Sequence, residues 1–350
     1  MNEKKYIIGK LTENQSRIYI DTDQVYHAYM DAKKDTQKYS GSMIWKQSKG
    51  NDYLFRLTDR YGNGKSLGRR SSGTEKIFKT FHREKKATSE SLNLLLGRLK
   101  EQAKFCKAIG INRVPSVVTG ILRILIAEKL MGNCLTIVGS NALYAYEAST
   151  GVRFDTSITT TVDMDMLWDT RGKMTFYAEN TINKNGLIGL LKKADASFKL
   201  IRDKGFRAVN DNGYMIDLIK PMENPPWKKN KKSFKPDNDF EAVDIRNLDW
   251  LISSPKFEGT VIGMDGFPAT MIVPDPRAFA LHKLWLSKQT DREPLKKSRD
   301  YAQAIAVIHL IINHLPQYPF KKSELKMFPK EIVDSAFDEI EKQKSPIGLD

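Results

Sequence analysis

The feature that most constrains the fold of this chain is a short apolar segment ending in Gly139-Ser140, separated by 22 residues from Asp163-Met164-Asp165. Leu135-Thr136-Ile137-Val138 is apolar and β-branched, so it reads as a buried strand, and Gly139-Ser140 ends it where a helical pattern begins. A glycine at that point lets the backbone approach an anion. The helix expected over Asn141 to Glu147 would aim its free N–H groups at the same anion, with the Ser140 hydroxyl as a further donor. Thr160 to Trp168 reads as a second strand, on which alternate side chains share a face, so Asp163 and Asp165 project side by side. Adjacent carboxylates repel, and the common reason to keep a pair on a core strand is a divalent cation such as Mg²⁺ or Mn²⁺. The plain alternatives are an ordinary turn at Gly139-Ser140 and a solvated pair of carboxylates at a strand edge.

With 350 residues and 40% hydrophobic content, the chain can bury a sizeable core and divides into two or three compact units. Its 57 Lys and Arg against 42 Asp and Glu leave a net charge of +15, a field that attracts polyanions. Nucleic acid fits that field, and so do a nucleoside triphosphate and a simple solubility effect. Cys106 and Cys134 are too few for a disulfide framework or a zinc site, which points to a reducing cytoplasm. Met1 to Lys5 lacks the apolar core of a signal peptide. The longest apolar stretch, Val117 to Leu130, contains Arg123, Glu128 and Lys129 and is expected to be a core-facing helix rather than a membrane span.

Composition divides the chain into a basic N-terminal module (1–88), a core preceded by helices (89–240) and a C-terminal part that completes the core and is largely helical (241–350). In the first, Asp52 to Leu57 alternates like a strand, Tyr61 to Lys65 reads as a turn, and Thr74 to Lys86 as a helix. Lys65, Arg69 and Arg70 could bind phosphate there, or form a solvated basic turn. Ser89 to Ile109 and a segment from Pro115 through Leu130 have helical spacing. Leu187 to Leu200 reads as a helix, followed by a hairpin of Arg207-Val209 and Tyr214-Ile219 around Asn210-Gly213. Pro221 to Asp239 is expected to be an exposed loop in which Lys228, Lys229, Lys231 and Lys232, interleaved with aromatics, could follow the phosphates of a nucleic acid or simply be solvated.

Val138-Gly139-Ser140 with Asp163-Met164-Asp165 resembles the core pattern of the DNA polymerase β-type nucleotidyltransferase superfamily, although many members have a shorter spacer. The words GSNALYAYEASTGVRF, TTTVDMDML, PDPRAFALHKLWLS and KKSRDYAQA are similar to a bacterial nucleotidyltransferase-like group related to abortive-infection-type toxins, from about Leu92 to the C-terminal helices. The resemblance implies an α+β fold, a mixed sheet flanked by helices with an N-terminal module and a C-terminal helical cap. It implies a Mg²⁺-dependent transfer of a nucleoside monophosphate from an NTP to a hydroxyl of RNA, a tRNA included, of a protein or of a small molecule, in a toxin–antitoxin or phage-defence setting. The metal would be held by Asp163, Asp165 and a third carboxylate on a neighbouring strand, Asp217 first and Asp244 as fallback. The nucleotide would meet Gly139, Ser140, Asn141, Lys283, Lys297 and Asp300, with Arg277 and Arg292 as further phosphate ligands and Lys283 neutralising the departing pyrophosphate. Competing readings are a binding module that keeps the fold without turnover, and an antitoxin-like enzyme that adenylates a partner protein.

Overall fold

The computed structural model describes residues 6–59, 61–171, 186–201, 204–222 and 239–344. The contacts divide the chain into two units, residues 17–111 in one and residues 1–16 with 112–350 in the other. This differs from the boundaries expected at 88 and 240. The first expected boundary falls inside a single helix, because the segments read as two helices over Thr74–Lys86 and Ser89–Ile109 are continuous over Ser72–Ala108. No residue between Lys86 and Ser89 breaks a helix, and the Ser71 and Thr74 side chains cap the N-terminus reciprocally.

The smaller unit contains most of α1 (Glu13–Lys38), the strands β2 (Ser42–Ser48), β3 (Asn51–Leu57) and β4 (Gly64–Arg69), and α2 (Ser72–Ala108). The strands form an antiparallel meander in the order β2-β3-β4. The core between the meander and α2 is small: Met43, Leu54 and Phe81 are buried, with Tyr39, Trp45, Leu67 and Phe78 packed around them, while Ile18 and Tyr26 of α1 and Leu99, Ala103 and Cys106 of α2 are buried as well.

In the larger unit β1 (Ile7–Lys10) pairs with β6 (Val152–Phe154). The central sheet runs β5 (Leu135–Val138), β7 (Asp163–Trp168), β10 (Met215–Pro221), β9 (Lys204–Val209), β8 (Lys199–Ile201), with β11 (Val243–Ile245) beside the end of β10. It is mixed: β7 and β10 are parallel, whereas β5–β7, β9–β10 and β8–β9 are antiparallel. The turn at Asn210–Gly213 makes the β9–β10 hairpin, as its sequence predicts. The helix expected over Leu187–Leu200 is shorter, Gly186–Ala194, because Lys199–Ile201 joins the sheet edge as β8.

Both faces of this sheet are covered. On one, Met164, Met166, Ile216 and Leu218 share a core with α3 (Ser116–Ala127) and α4 (Ala142–Thr150). On the other, Val138 and Leu167 meet α7 (Asp249–Ser253), after α5 (Thr156–Thr159) and α6 (Gly186–Ala194), and α8 (Pro276–Lys288) through Leu251, Leu281 and Leu284. A β12–β13 hairpin (Lys256–Ile262, Pro268–Pro274) precedes α8. The long α9 (Pro294–His314) and α10 (Lys330–Lys344) complete the C-terminal helices. The mixed sheet flanked by helices is the α+β architecture expected. No helix among the described residues is long and apolar enough to cross a membrane.

Candidate active site

Strand alternation and register decide which carboxylates meet. Asp163 and Asp165 lie two residues apart on β7, and the parallel register sets Asp217 beside Asp165, so all three project from the same face. That face also carries Leu167 and is the one covered by the C-terminal helices. Asp244 pairs with Lys220 in register and therefore lies on the opposite face, bonded to the Lys220 ammonium at 3.5 Å. Of the two candidates for a third carboxylate, Asp217 therefore shares the face of Asp163 and Asp165, and Asp244 is turned from it by one residue of pleat.

Gly139 is held against this cluster. β5 runs antiparallel to β7 with Val138 opposite Asp165, and Gly139 turns the chain with φ of 67°. A Cβ on Gly139 would stand 2.3 Å from the Asp165 Oδ2. Only glycine tolerates both that backbone and that contact. In this arrangement the space left by the missing side chain is filled by the Asp165 carboxylate, a use beyond the approach to phosphate expected from sequence.

The residues after Gly139 form one turn of 3₁₀-helix, Gly139–Asn141, before α4 begins. Ser140 Oγ accepts a 2.8 Å hydrogen bond from Gln303 Nε2, and that amide nitrogen also bonds the Ile158 carbonyl at 2.7 Å. Asn141, expected to contact nucleotide, donates through Nδ2 to the Asp163 carbonyl at 2.6 Å, and the Tyr214 hydroxyl donates to the same carbonyl at 3.2 Å. These bonds pin the start of β7 and so aim Asp163. The Thr161 hydroxyl donates to the Asp163 carboxylate itself.

The charges on this face are unevenly balanced. Both oxygens of Asp217 accept from the Arg207 guanidinium, at 2.6 and 2.5 Å, a two-point ion pair across the β9–β10 hairpin. Among the described residues, none forms such an ion pair with Asp165. Burial, then the charges of Asp163 and Asp217, push its carboxyl up to about 7, although Lys283 and Arg207 act in the opposite sense. A divalent cation between Asp163 and Asp165 would relieve that repulsion, so this pair fits a metal. Among the described residues, however, no group of three or more His, Cys, Asp and Glu is gathered as a ready metal site, and Asp217 is already matched by Arg207.

The C-terminal helices place several of the residues expected at the nucleotide in one buried network. Lys283 of α8 bonds Asp300 of α9 at 2.7 Å, and Arg292 bonds the other Asp300 oxygen at 2.8 Å. Next to Lys283, His282 is pushed down to about 3 by burial first and then by the neighbouring cation. Arg277 holds the N-cap residue Asp275 at 2.7 and 3.0 Å and lies over the Tyr318 ring. Lys297 is half-buried at the first turn of α9. In the smaller unit Arg70 is bonded to Asp52 and Glu75, while Lys65 and Arg69 are exposed. Lys228, Lys229, Lys231 and Lys232 lie outside the described residues.

A sequence profile described as nucleotidyltransferase matches residues 116–328, more than half of the chain, from the start of α3 to the turn before α10. The chain belongs to this nucleotidyltransferase family. The match contains Gly139, Ser140, Asp163, Asp165, Asp217 and Lys283 and leaves out the smaller unit. No curated protein matches. A solved structure, an antigenic nucleotidyltransferase-like protein from Paracoccidioides brasiliensis, is similar at 15% identity over 66% of this chain and 90% of that one, with a TM-score of 0.33. A likeness of that degree adds nothing to the sheet order above.

No motif in the sequence marks Arg207, Gln303 or Tyr214 as part of the site. Arg207 did have a local signal, since a hairpin turning at Asn210–Gly213 brings residue 207 opposite residue 217. Gln303 had no signal, being one polar residue in a long helical stripe whose partner is 163 residues away.

Proposed function

We propose that this nucleotidyltransferase is an active, divalent-metal-dependent enzyme that moves a nucleoside monophosphate from an NTP to a hydroxyl, with RNA as the favoured acceptor. The observation that supports it most is the Asp163–Asp165 pair facing the same way beside Gly139, with the Asp165 carboxyl pushed up to about 7 by burial and by the charges of Asp163 and Asp217. In the transfer, the acceptor oxygen bonds to the α-phosphorus and the bond from that phosphorus to the pyrophosphate oxygen breaks. Pyrophosphate leaves, and the hydroxyl proton passes to the carboxylate face. A cation held by Asp163 and Asp165 would screen triphosphate charge and favour the ionised acceptor. The turn at Gly139–Asn141 leads directly into α4, so the backbone N–H groups suited to phosphate oxygens would be those of the turn, and Gln303 holds the Ser140 hydroxyl in place. Arg207 holds Asp217 fixed beside Asp165 through its two-point ion pair. Lys283, anchored by Asp300, contributes positive charge toward Asp165 and so toward a leaving pyrophosphate.

The net charge of +15 favours an RNA acceptor over a small molecule. The setting we favour is toxin–antitoxin or phage defence, on the resemblance of the GSNALYAYEASTGVRF and TTTVDMDML words. A second reading, a module on this fold that binds without turnover, is favoured by one observation: both Asp217 oxygens are taken by Arg207. The deciding experiment incubates the protein with each α-labelled NTP, Mg²⁺ or Mn²⁺, and total RNA or lysate protein. Label transfer that disappears in Asp163→Asn/Asp165→Asn supports the enzyme, label on protein alone moves the acceptor to protein, and nucleotide binding with no transfer under any condition supports the second reading.

A further inference from the structure

The basic charge is concentrated in the smaller unit. Residues 17–111 contain twenty Lys and Arg against ten Asp and Glu, so +10 of the net +15 falls in little more than a quarter of the chain. Its meander has two unlike faces. Met43, Trp45 and Leu54 face inward, onto Phe78 and Phe81 of α2. The register sets Ile44 opposite Phe55, Lys46 opposite Tyr53, and Tyr53 opposite Arg69. Residues paired across strands share a face, so these five form the other side of the sheet.

That side is outside the unit's core, to which none of Ile44, Tyr53 and Phe55 contributes. Ile44 is 36% exposed, Lys46 and Arg69 are exposed, and Tyr53 and Phe55 are half-buried. The Lys46 ammonium stands 5.0 Å from the centre of the Phe55 ring. Two aromatic rings side by side on one strand, flanked by cations, make a surface with flat apolar area for bases and positive charge for phosphates. Alternate residues on a strand are roughly 7 Å apart. That is about twice the 3.4 Å rise per base of a duplex strand, so bases on both rings must be unstacked from each other, as a single strand allows and a duplex does not.

We propose that this outer face of β2, β3 and β4 binds single-stranded RNA, with bases stacked on Tyr53 and Phe55 and the phosphate backbone passing Lys46 and Arg69. The proposal deepens the functional reading by naming the acceptor as unpaired RNA and giving it a docking surface. It rests on that reading only for the purpose of the binding.

The test measures fluorescence anisotropy of a labelled oligouridylate with the full chain, without NTP or divalent cation, over a range of salt. Tyr53→Ala/Phe55→Ala should weaken binding about ten-fold or more, the effect of removing a base-stacking ring. Tyr53→Phe/Phe55→Tyr, which keeps both rings, should bind like the wild type. Lys46→Gln/Arg69→Gln should flatten the log–log salt dependence by about 1.4, at roughly 0.7 for each phosphate contact on a single strand. The rings lie off the core, so circular dichroism of the alanine variant should match the wild type. Unchanged affinity in the folded alanine variant, equal or tighter binding of duplex RNA, or equal binding of the corresponding single-stranded DNA would each overturn the proposal. Binding is read without turnover, so its failure is distinct from a failure of nucleotidyl transfer in the label assay.

Discussion

Asp300 and Asp165 belong to the same unit, both feel the charge of Lys283, and are balanced in opposite ways. Asp300, on α9, is buried and accepts from two cations, Lys283 at 2.7 Å and Arg292 at 2.8 Å. Asp165, on β7, has two carboxylates as its nearest charged neighbours along the sheet and is driven up to about 7. A fully paired buried carboxylate holds helices in register. A poorly paired one stores repulsion that a ligand can relieve, and perturbed groups of that kind mark candidate functional sites. The difference separates structural from chemical use of the same residue type: Asp300 should answer to stability measurements and Asp165 to turnover.

The largest expected effect tests that division directly. Asp163→Asn/Asp165→Asn should reduce transfer of labelled nucleotide to background while leaving the circular-dichroism spectrum and melting cooperativity intact; a folded double variant that still turns over would break the comparison.

Next comes the paired site. Asp300→Asn leaves Lys283 buried without its counter-charge and should cost about 3–5 kcal/mol in denaturant unfolding. Replacing both partners, Lys283→Met/Asp300→Leu, should recover most of that loss. If the single variant is as stable as the wild type, Asp300 is not held by these cations in solution.

At Gly139 the two kinds of effect should appear together. Gly139→Ala forces a side chain into left-handed backbone, at a cost of about 1–3 kcal/mol, and into the Asp165 carboxylate. Turnover should fall as well as melting temperature. A loss of stability with full turnover would mean that Asp165 can move away without consequence.

The pH dependence sharpens the contrast further. The Asp165 carboxyl titrates near 7 when folded and near 3.8 when unfolded, so it remains protonated in the folded state over a range where the unfolded chain has already ionised. Its contribution is fully present below about pH 4 and is lost as pH rises to about 7. Without divalent cations, the stability advantage of Asp165→Asn over the wild type should therefore grow from pH 4 to 7 and then level off. Added Mg²⁺ should reduce it. Thermal melts across that range decide the matter, and a pH-independent difference would remove the electrostatic account.

The smallest effect belongs to Ser140→Ala, which removes the acceptor of the Gln303 hydrogen bond. A loss of about 1 kcal/mol is expected, with modestly weaker NTP affinity by titration calorimetry.

The sequence by itself determined the local elements and their order. β5, Gly139, the helix after it and β7 were legible because apolar runs, a glycine stop and alternation are local signals. The β9–β10 hairpin was legible for the same reason, its turn residues specifying a register. The boundary at residue 88 was not, since a change of composition does not interrupt a helix that has no breaker in it. Tertiary structure alone decided which face each carboxylate serves, choosing Asp217 over Asp244 by the pleat of a parallel pairing between strands far apart in sequence. It also decided that Lys283, Arg292 and Asp300 compensate one another, and that Gln303 reaches Ser140. Propensity and periodicity act over a few residues, whereas charge balance depends on which distant side chains are packed together, and that is known only once the chain has folded.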